Sequence, residues 1–273
     1  MTFYVLDALT KREDLQSIEP TEIVSIFLNL LYLSEDPQTI GTILGILRRY
    51  CSSDWMRSLI GQDKKLIMWV LSFLKKSHST DEGVQRCEIE ALNFMKYLWE
   101  DSETNLCIHK FTGSVILRHL DHRTSLRPSD YKNRAQIVLK ILQNMIKASD
   151  RYLFQIAFYR DENDGNFQSL LDKLQWILFF GLRVGDGRKL SSEWKEILYI
   201  CLNLLHRCST HSGLLLDMVA DFRVTYAFIM VVKQNHCPAF NIFAIEIIRE
   251  IHKLNLSELQ SDQNYLSFVK DYL

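Results

Sequence analysis

Apolar side chains recur at intervals of three and four residues along most of the chain, the spacing that buries one face of an α-helix. No segment combines strict alternation with hairpin residues, and the 273 residues include only ten glycines and four prolines. We therefore predict an all-α fold. The predicted helices are 21–33, 37–51, 55–60, 64–76, 84–99, 113–120, one opening at Pro128, 167–182, 192–208, 214–233 with a break near Asp221, 238–254, and one or two from 257 onward.

The stretch 87–120 has a distinctive order of elements. A helix with Ala91, Met95 and Leu98 on its apolar side precedes a polar turn at 100–104. A short helical piece around Ile108 and a helix opened by Gly113 follow. This order resembles an armadillo repeat. Segments 142–145 and 201–204 are similar to the Leu-x-Asn-Leu ending of that family's concave helix. The resemblance implies helical repeats that stack and share a continuous core.

The Asn of that ending marks one position per repeat. Corresponding positions hold Arg49, Tyr97, Asn144, Asn203 and Glu250, at steps of 48, 47, 59 and 47 residues. Armadillo and HEAT repeats are about 40 to 47 residues long, and the long step contains a loop at 184–188. The resemblance implies an armadillo/HEAT-like right-handed α-solenoid of about five repeats, in one domain 1–273 with caps at 1–20 and 255–273 and repeats at 21–254. An irregular bundle with accidental spacing is the alternative.

Polar and aromatic side chains occupy these positions, although the helices that carry them are otherwise apolar on the side that would form the core. We expect this concave ladder to hold an extended or helical segment of a protein partner, because such side chains can hydrogen-bond a peptide main chain. The predicted binding residues are Arg49, Asn93, Tyr97, Lys140, Asn144, Tyr199, Asn203 and Glu250. One turn before the ladder, the armadillo subfamily that reads nuclear-import signals carries Trp. This chain has Gly45, Asn93, Lys140, Tyr199 and Glu246 there, so import-receptor function is not expected.

The charge is balanced, with 32 basic and 33 acidic residues. Nucleic-acid-binding domains usually carry a positive excess, so nucleic acid is not expected to be the main partner. One local basic patch keeps it as a lower-ranked alternative: Arg118, Arg123, Arg127, Lys132 and Arg134.

Catalytic and cofactor motifs are missing from the sequence. There is no phosphate-binding glycine loop and no nucleophile elbow, so we expect neither an enzyme nor a cofactor. The nearest metal motif is Cys201, His206, Cys208 and His211. The first three lie on one predicted helix, where Cys201 and His206, five residues apart, fall on different faces. Structural zinc sites use closely spaced pairs, so no metal is expected.

A second functional hypothesis is a structural subunit, self-associating or permanently bound in a complex. The apolar run 222–232 and the aromatic residues Tyr265, Phe268 and Tyr272 would form its interface. The start of the chain shows no secretory signal. No apolar run approaches the roughly 18 residues of a membrane span. We therefore expect a cytosolic or nuclear protein that is not embedded in a membrane.

Overall fold

The computed structural model describes residues 20–76, 81–99, 112–120, 128–148, 150–157, 169–185 and 190–273. Within these ranges every regular element is a helix and no strand occurs, which confirms the predicted all-α class. The helices are α1 (Pro20–Leu33), α2 (Pro37–Tyr50), α3 (Asp54–Gly61), α4 (Lys64–Lys76), α5 (Glu82–Leu98), α6 (Thr112–Arg118), α7 (Pro128–Ala148), α8 (Asp150–Ala157), α9 (Leu170–Gly185), α10 (Ser192–Ser209), α11 (Ser212–Val219), α12 (Phe222–Gln234), α13 (Pro238–Lys253), α14 (Ser257–Gln260) and α15 (Gln263–Tyr272).

Local capping chemistry sets several helix boundaries. At the start of α2, Asp36 Oδ2 accepts a hydrogen bond from the Thr39 N–H at 2.8 Å, and Pro37 occupies the first turn. The Asp36 carboxylate satisfies one of the unpaired N–H donors of the helix N-terminus, and Pro37 has no N–H that would need a partner. Asp221 accepts from the Arg223 N–H and opens α12, which explains the predicted break in the segment 214–233. Asn235 ends the same helix in the left-handed conformation, with φ of 46°.

The chain divides into two compact units, within 1–148 and 149–273. Each unit is described by itself below, and the single-domain assignment stays a prediction. In unit 1, helix α5 packs against α2 on one side and α7 on the other, while α4 packs against α5 and α6. The three helices α2, α5 and α7 begin 45 and 46 residues apart. Their contacts bury Leu44, Leu47, Leu92, Met95 and Leu142.

In unit 2, helix α10 packs against α9 and α13, and α12 packs against both α9 and α13. Helices α10 and α13 begin 46 residues apart. The core includes Leu178, Leu198, Leu205, Ile247 and Ile251. Burying one such side chain contributes about 1.5–3 kcal/mol, so the α9–α10–α13 contacts are a main source of stability in this unit.

The helices in the described ranges do not include one that is both long and apolar enough to cross a lipid bilayer. In a solenoid of about five repeats, every repeat would stack on the next one along the whole chain. This architecture stays a prediction.

Candidate functional site

The predicted ladder residues of unit 1 lie on the three helices that pack side by side. Arg49 is on α2, Asn93 and Tyr97 are on α5, and Lys140 and Asn144 are on α7. Arg49 is exposed and the other four are partly exposed. On α5 and on α7 the two residues are four apart, so each pair lies on one face of its helix.

Arg48, one residue before the ladder position on α2, connects α2 to α5. Its Nη2 lies 3.5 Å from Glu90 Oε2, and its Cζ lies 5.8 Å from the centre of the Tyr97 ring. Lys96 approaches the same ring at 5.1 Å. The repeat spacing in the sequence predicted Arg49 but neither Arg48 nor Glu90, because only the packing of α2 on α5 brings these two side chains together.

A groove of about 790 Å³ runs between α2 and α5. Gly41 and Gly45 of α2 and Cys87 of α5 are among its lining residues. A Cβ placed on Gly41 would lie 3.4 Å from the Cys87 Cα, and a Cβ on Gly45 would lie 3.7 Å from Glu90 Oε2. The glycines therefore let the helices approach closely at Gly41 and leave open space above Gly45.

Charged side chains line both ends of this groove. At one end Asp36 caps α2, and hydrogen bonds from Thr39 hold the pKa of the Asp36 carboxyl below its usual value. Nearby on α5, Arg86 Nη2 lies 3.0 Å from Glu82 Oε1. At the other end are Arg48, Arg49 and Glu90. Three carboxylates and three guanidinium groups line the groove, so its formal charge is zero.

The ladder residues of unit 2 lie among aromatic and charged side chains. Tyr199 on α10 is 42% exposed, and its ring lies 5.5 Å from the Phe243 ring on α13. Asn203 is partly exposed, one turn further along α10. Glu250 on α13 is partly exposed and accepts a hydrogen bond from Lys253 Nζ at 2.6 Å. The contact between α10 and α13 therefore joins the ladder residue Tyr199 to Phe243.

Three of the four residues considered for zinc have separate partners, and the fourth, Cys208, is buried. Cys201 Sγ donates to the Leu174 carbonyl at 3.2 Å, and burial raises the pKa of the Cys208 thiol to about 12. His206 Nε2 lies 2.9 Å from Glu246 Oε2, and His211 contacts the ring of Phe154. Within the described ranges, no three or more His, Cys, Asp or Glu side chains are grouped so that they could hold a metal ion.

The structure removes Arg134 from the predicted basic patch. Arg134 is buried, and its Nη1 donates to Glu88 Oε1 at 3.4 Å. His119 Nδ1 lies 2.7 Å from the same oxygen, and all three side chains are buried. Arg134 is therefore an interior residue and not part of a surface patch, because the buried Glu88 carboxylate requires compensating donors.

Two of the remaining four patch residues lie on described helices, Arg118 on α6 and Lys132 on α7. Arg118 and Lys132 are partly exposed, and Arg123 and Arg127 lie outside the described residues.

Most of the apolar surface expected for a structural subunit lies in the core. Val224, Phe228 and Val231 of α12 are buried, as are Tyr265 and Phe268 of α15. Tyr272 is exposed and stacks on Phe268. A different helix, α1, has an exposed apolar stripe at Ile26, Leu30 and Leu33.

Comparison with known proteins identifies no relative. The chain matches no protein-family model, no curated protein and no solved structure.

Proposed function

We propose that this protein is a non-enzymatic adaptor, without a cofactor, whose ladder residues hold a protein partner. These residues are Arg49, Asn93, Tyr97, Lys140 and Asn144 in unit 1 and, taken separately, Tyr199, Asn203 and Glu250 in unit 2. The observation that carries the proposal is the packing of the ladder helices. In unit 1 helix α5 packs against α2 and α7, and in unit 2 helix α10 packs against α13. The ladder residues on these helices are at least partly exposed.

The chemistry of these residues suits a polypeptide partner. Asn donates and accepts hydrogen bonds, as a peptide main chain requires. Tyr and Arg are enriched among residues that dominate binding energy, because they combine a large contact area with polar groups. The half-exposed Tyr199 beside Phe243 offers such an area in unit 2.

The spacing of the helices supports an armadillo/HEAT-like repeat as the underlying architecture. The ladder helices begin 45 or 46 residues apart within each unit, which agrees with a repeat of about 40 to 47 residues. Stacked repeats of this kind place one helix per repeat on a common face. We further propose the cytosol or nucleus as the site of action, because Cys51, Cys87, Cys201 and Cys208 are free buried thiols of the kind that persist in reducing compartments.

The double variant Asn144→Ala/Asn203→Ala tests the proposal. We expect proteins that the wild-type chain captures from a cell lysate, once identified and purified, to bind the double variant at least about tenfold more weakly, a loss of roughly 1.4 kcal/mol. The free energy of unfolding should stay within about 1 kcal/mol of the wild type, since both side chains are partly exposed.

The matched control is Asn29→Ala/Asn264→Ala, which makes the same change at exposed sites on α1 and α15. It should leave both binding and stability unaltered. If the ladder variant binds like the wild type, or unfolds, the ladder residues have no binding role and the proposal fails.

A structural subunit that self-associates is the second candidate, favoured by the exposed stripe Ile26, Leu30 and Leu33 on α1. Contiguous exposed apolar residues often mark protein interfaces. Light scattering over a range of concentrations should then show a dimer that Leu30→Glu dissociates. A monomer at every concentration would exclude this candidate.

A further inference from the structure

The groove between α2 and α5 has features that the ladder alone does not explain. Its lining includes the small residues Gly41, Gly45 and Cys87, and one of its two charged ends carries Arg48 and Glu90. We propose that this groove binds one extended segment of a polypeptide partner and recognises its main chain through Arg48 and Glu90. The inference rests on the proposed function in that the partner is a protein, and it names residues outside the ladder.

The dimensions suit a short extended segment. From Asp36 to Arg49 helix α2 rises about 1.5 Å per residue, or roughly 20 Å in total. An extended chain rises about 3.3 Å per residue, so the groove accommodates about six residues. Its volume of about 790 Å³ is also in the range of a binding site rather than a packing defect.

Arg48 and Glu90 form a donor and an acceptor side by side on the groove wall. Their side chains are 31% and 34% exposed, and the 3.5 Å between Nη2 and Oε2 is too long for a strong hydrogen bond. In the described part of the chain, Arg48 Nε and Glu90 Oε2 are buried without a hydrogen-bond partner. A guanidinium has five N–H donors and a carboxylate about four acceptor sites, so the exposed parts of this loose pair still offer donors and acceptors to a ligand in the groove.

A peptide group complements this pair, because its carbonyl accepts from a guanidinium and its N–H donates to a carboxylate. The Arg48 guanidinium also rests over the Tyr97 ring, which limits its freedom and lowers the entropy lost on binding. Since the groove carries equal numbers of acidic and basic groups, net charge contributes little. A nucleic-acid strand, which requires a positive excess, does not fit.

Gly45 provides a direct test, since a larger residue there fills the groove. In Gly45→Leu the added Cβ has one neighbour within 4 Å, Glu90 Oε2 at 3.7 Å, so we expect the Leu side chain to extend into the groove. The control is Gly213→Leu, where an added Cβ meets nothing within 4 Å. The probe is a displayed library of random heptapeptides, selected on the full wild-type chain, with affinities then measured by fluorescence polarisation.

We expect selected peptides to bind Gly45→Leu at least about tenfold more weakly than the wild type, and Gly213→Leu within about twofold. Methylating one backbone nitrogen of the bound core should weaken binding by a similar factor, because it removes a main-chain donor. Binding should change little with salt. If thermal unfolding shows that Gly45→Leu does not fold, Arg48→Met replaces it and should show the same loss.

Four results would overturn the inference. The first is a selection that enriches no peptide, or enriches peptides that bind the groove variants as well as the wild type. The second is affinity that falls steeply with salt, which would indicate charge recognition. The third is a concentration-dependent dimer that Gly45→Leu abolishes, which would make a second copy of the chain the occupant. The fourth is binding that depends on Asn144 and Asn203 but not on Gly45, which would remove this inference and leave the proposed function standing. Binding that depends on Gly45 but not on Asn144 and Asn203 would support the groove and remove the proposed role of the ladder residues.

Discussion

Two glycines in helix interiors should respond in opposite ways to the same substitution. Gly45 on α2 has open space above it, with Glu90 Oε2 at 3.7 Å from an added Cβ. Gly181 on α9 is buried against α10, and an added Cβ would lie 2.6 Å from Leu198 Cδ2 and 3.0 Å from its Cγ. Real Cβ atoms do not approach so closely, and Leu198 is itself buried.

The magnitudes follow from helix propensity and from overpacking. Replacing Gly by Ala inside a helix stabilises by about 0.5–1 kcal/mol, because Gly loses more backbone entropy on folding. Gly45→Ala should show this gain. At Gly181 the displacement of Leu198 costs about 2 kcal/mol in the middle of the range for overpacking. Subtracting the gain leaves a destabilisation of roughly 1 kcal/mol for Gly181→Ala.

Urea unfolding followed by circular dichroism measures both effects. Hydrogen exchange of fragments from α5 and α10 assigns each change to its unit. A double variant, Gly181→Ala/Leu198→Ala, removes the clashing side chain and should show a favourable coupling energy of about 1 kcal/mol or more. If Gly181→Ala is as stable as the wild type, or Gly45→Ala is less stable, the reasoning about helix approach at these positions is wrong.

Two further predictions concern buried polar groups. Glu88→Gln should lower the free energy of unfolding by about 3 kcal/mol in chemical denaturation, because it removes the charge beside Arg134 and His119. The exposed control Glu82→Gln should change it by less than about 0.5 kcal/mol, and equal effects would contradict the burial. Burial raises the pKa of the Cys51 and Cys87 thiols from 9.0 to about 12. Stability should therefore be fully present below pH 9 and decrease as the pH rises toward 12, with a Cys51→Ala/Cys87→Ala variant showing a smaller decrease. An equal decrease in both proteins would refute this.

Much of the helical pattern was predictable because its causes are local. The helix Lys64–Lys76 agrees with the prediction at both ends, since its apolar spacing is unbroken. The break before α12 was predicted near Asp221, where the carboxylate caps the new helix. In contrast, α8 (Asp150–Ala157) was not predicted, since an eight-residue segment carries too few periods to be distinguished from a loop.

The binding residues were less predictable. The repeat spacing of about 47 residues predicted Arg49 and Tyr97 as ladder residues, and they lie on the neighbouring helices α2 and α5. It could not show that Arg48 lies over the Tyr97 ring. Arg134 was assigned to the surface because charged residues usually lie there. Its burial depends on Glu88, which is 46 residues away in the chain.

The sequence by itself determined most of the described helices, since periodicity and caps act over a few residues. It also predicted ladder residues, which lie on α2, α5, α7, α10 and α13. Only the tertiary structure decided which of their side chains meet. The groove over Gly45 and the buried contacts of Glu88 with His119 and Arg134 join residues that are 31 or more positions apart. Such contacts depend on how closely two helices approach, and that distance is set by the side chains of both helices at once.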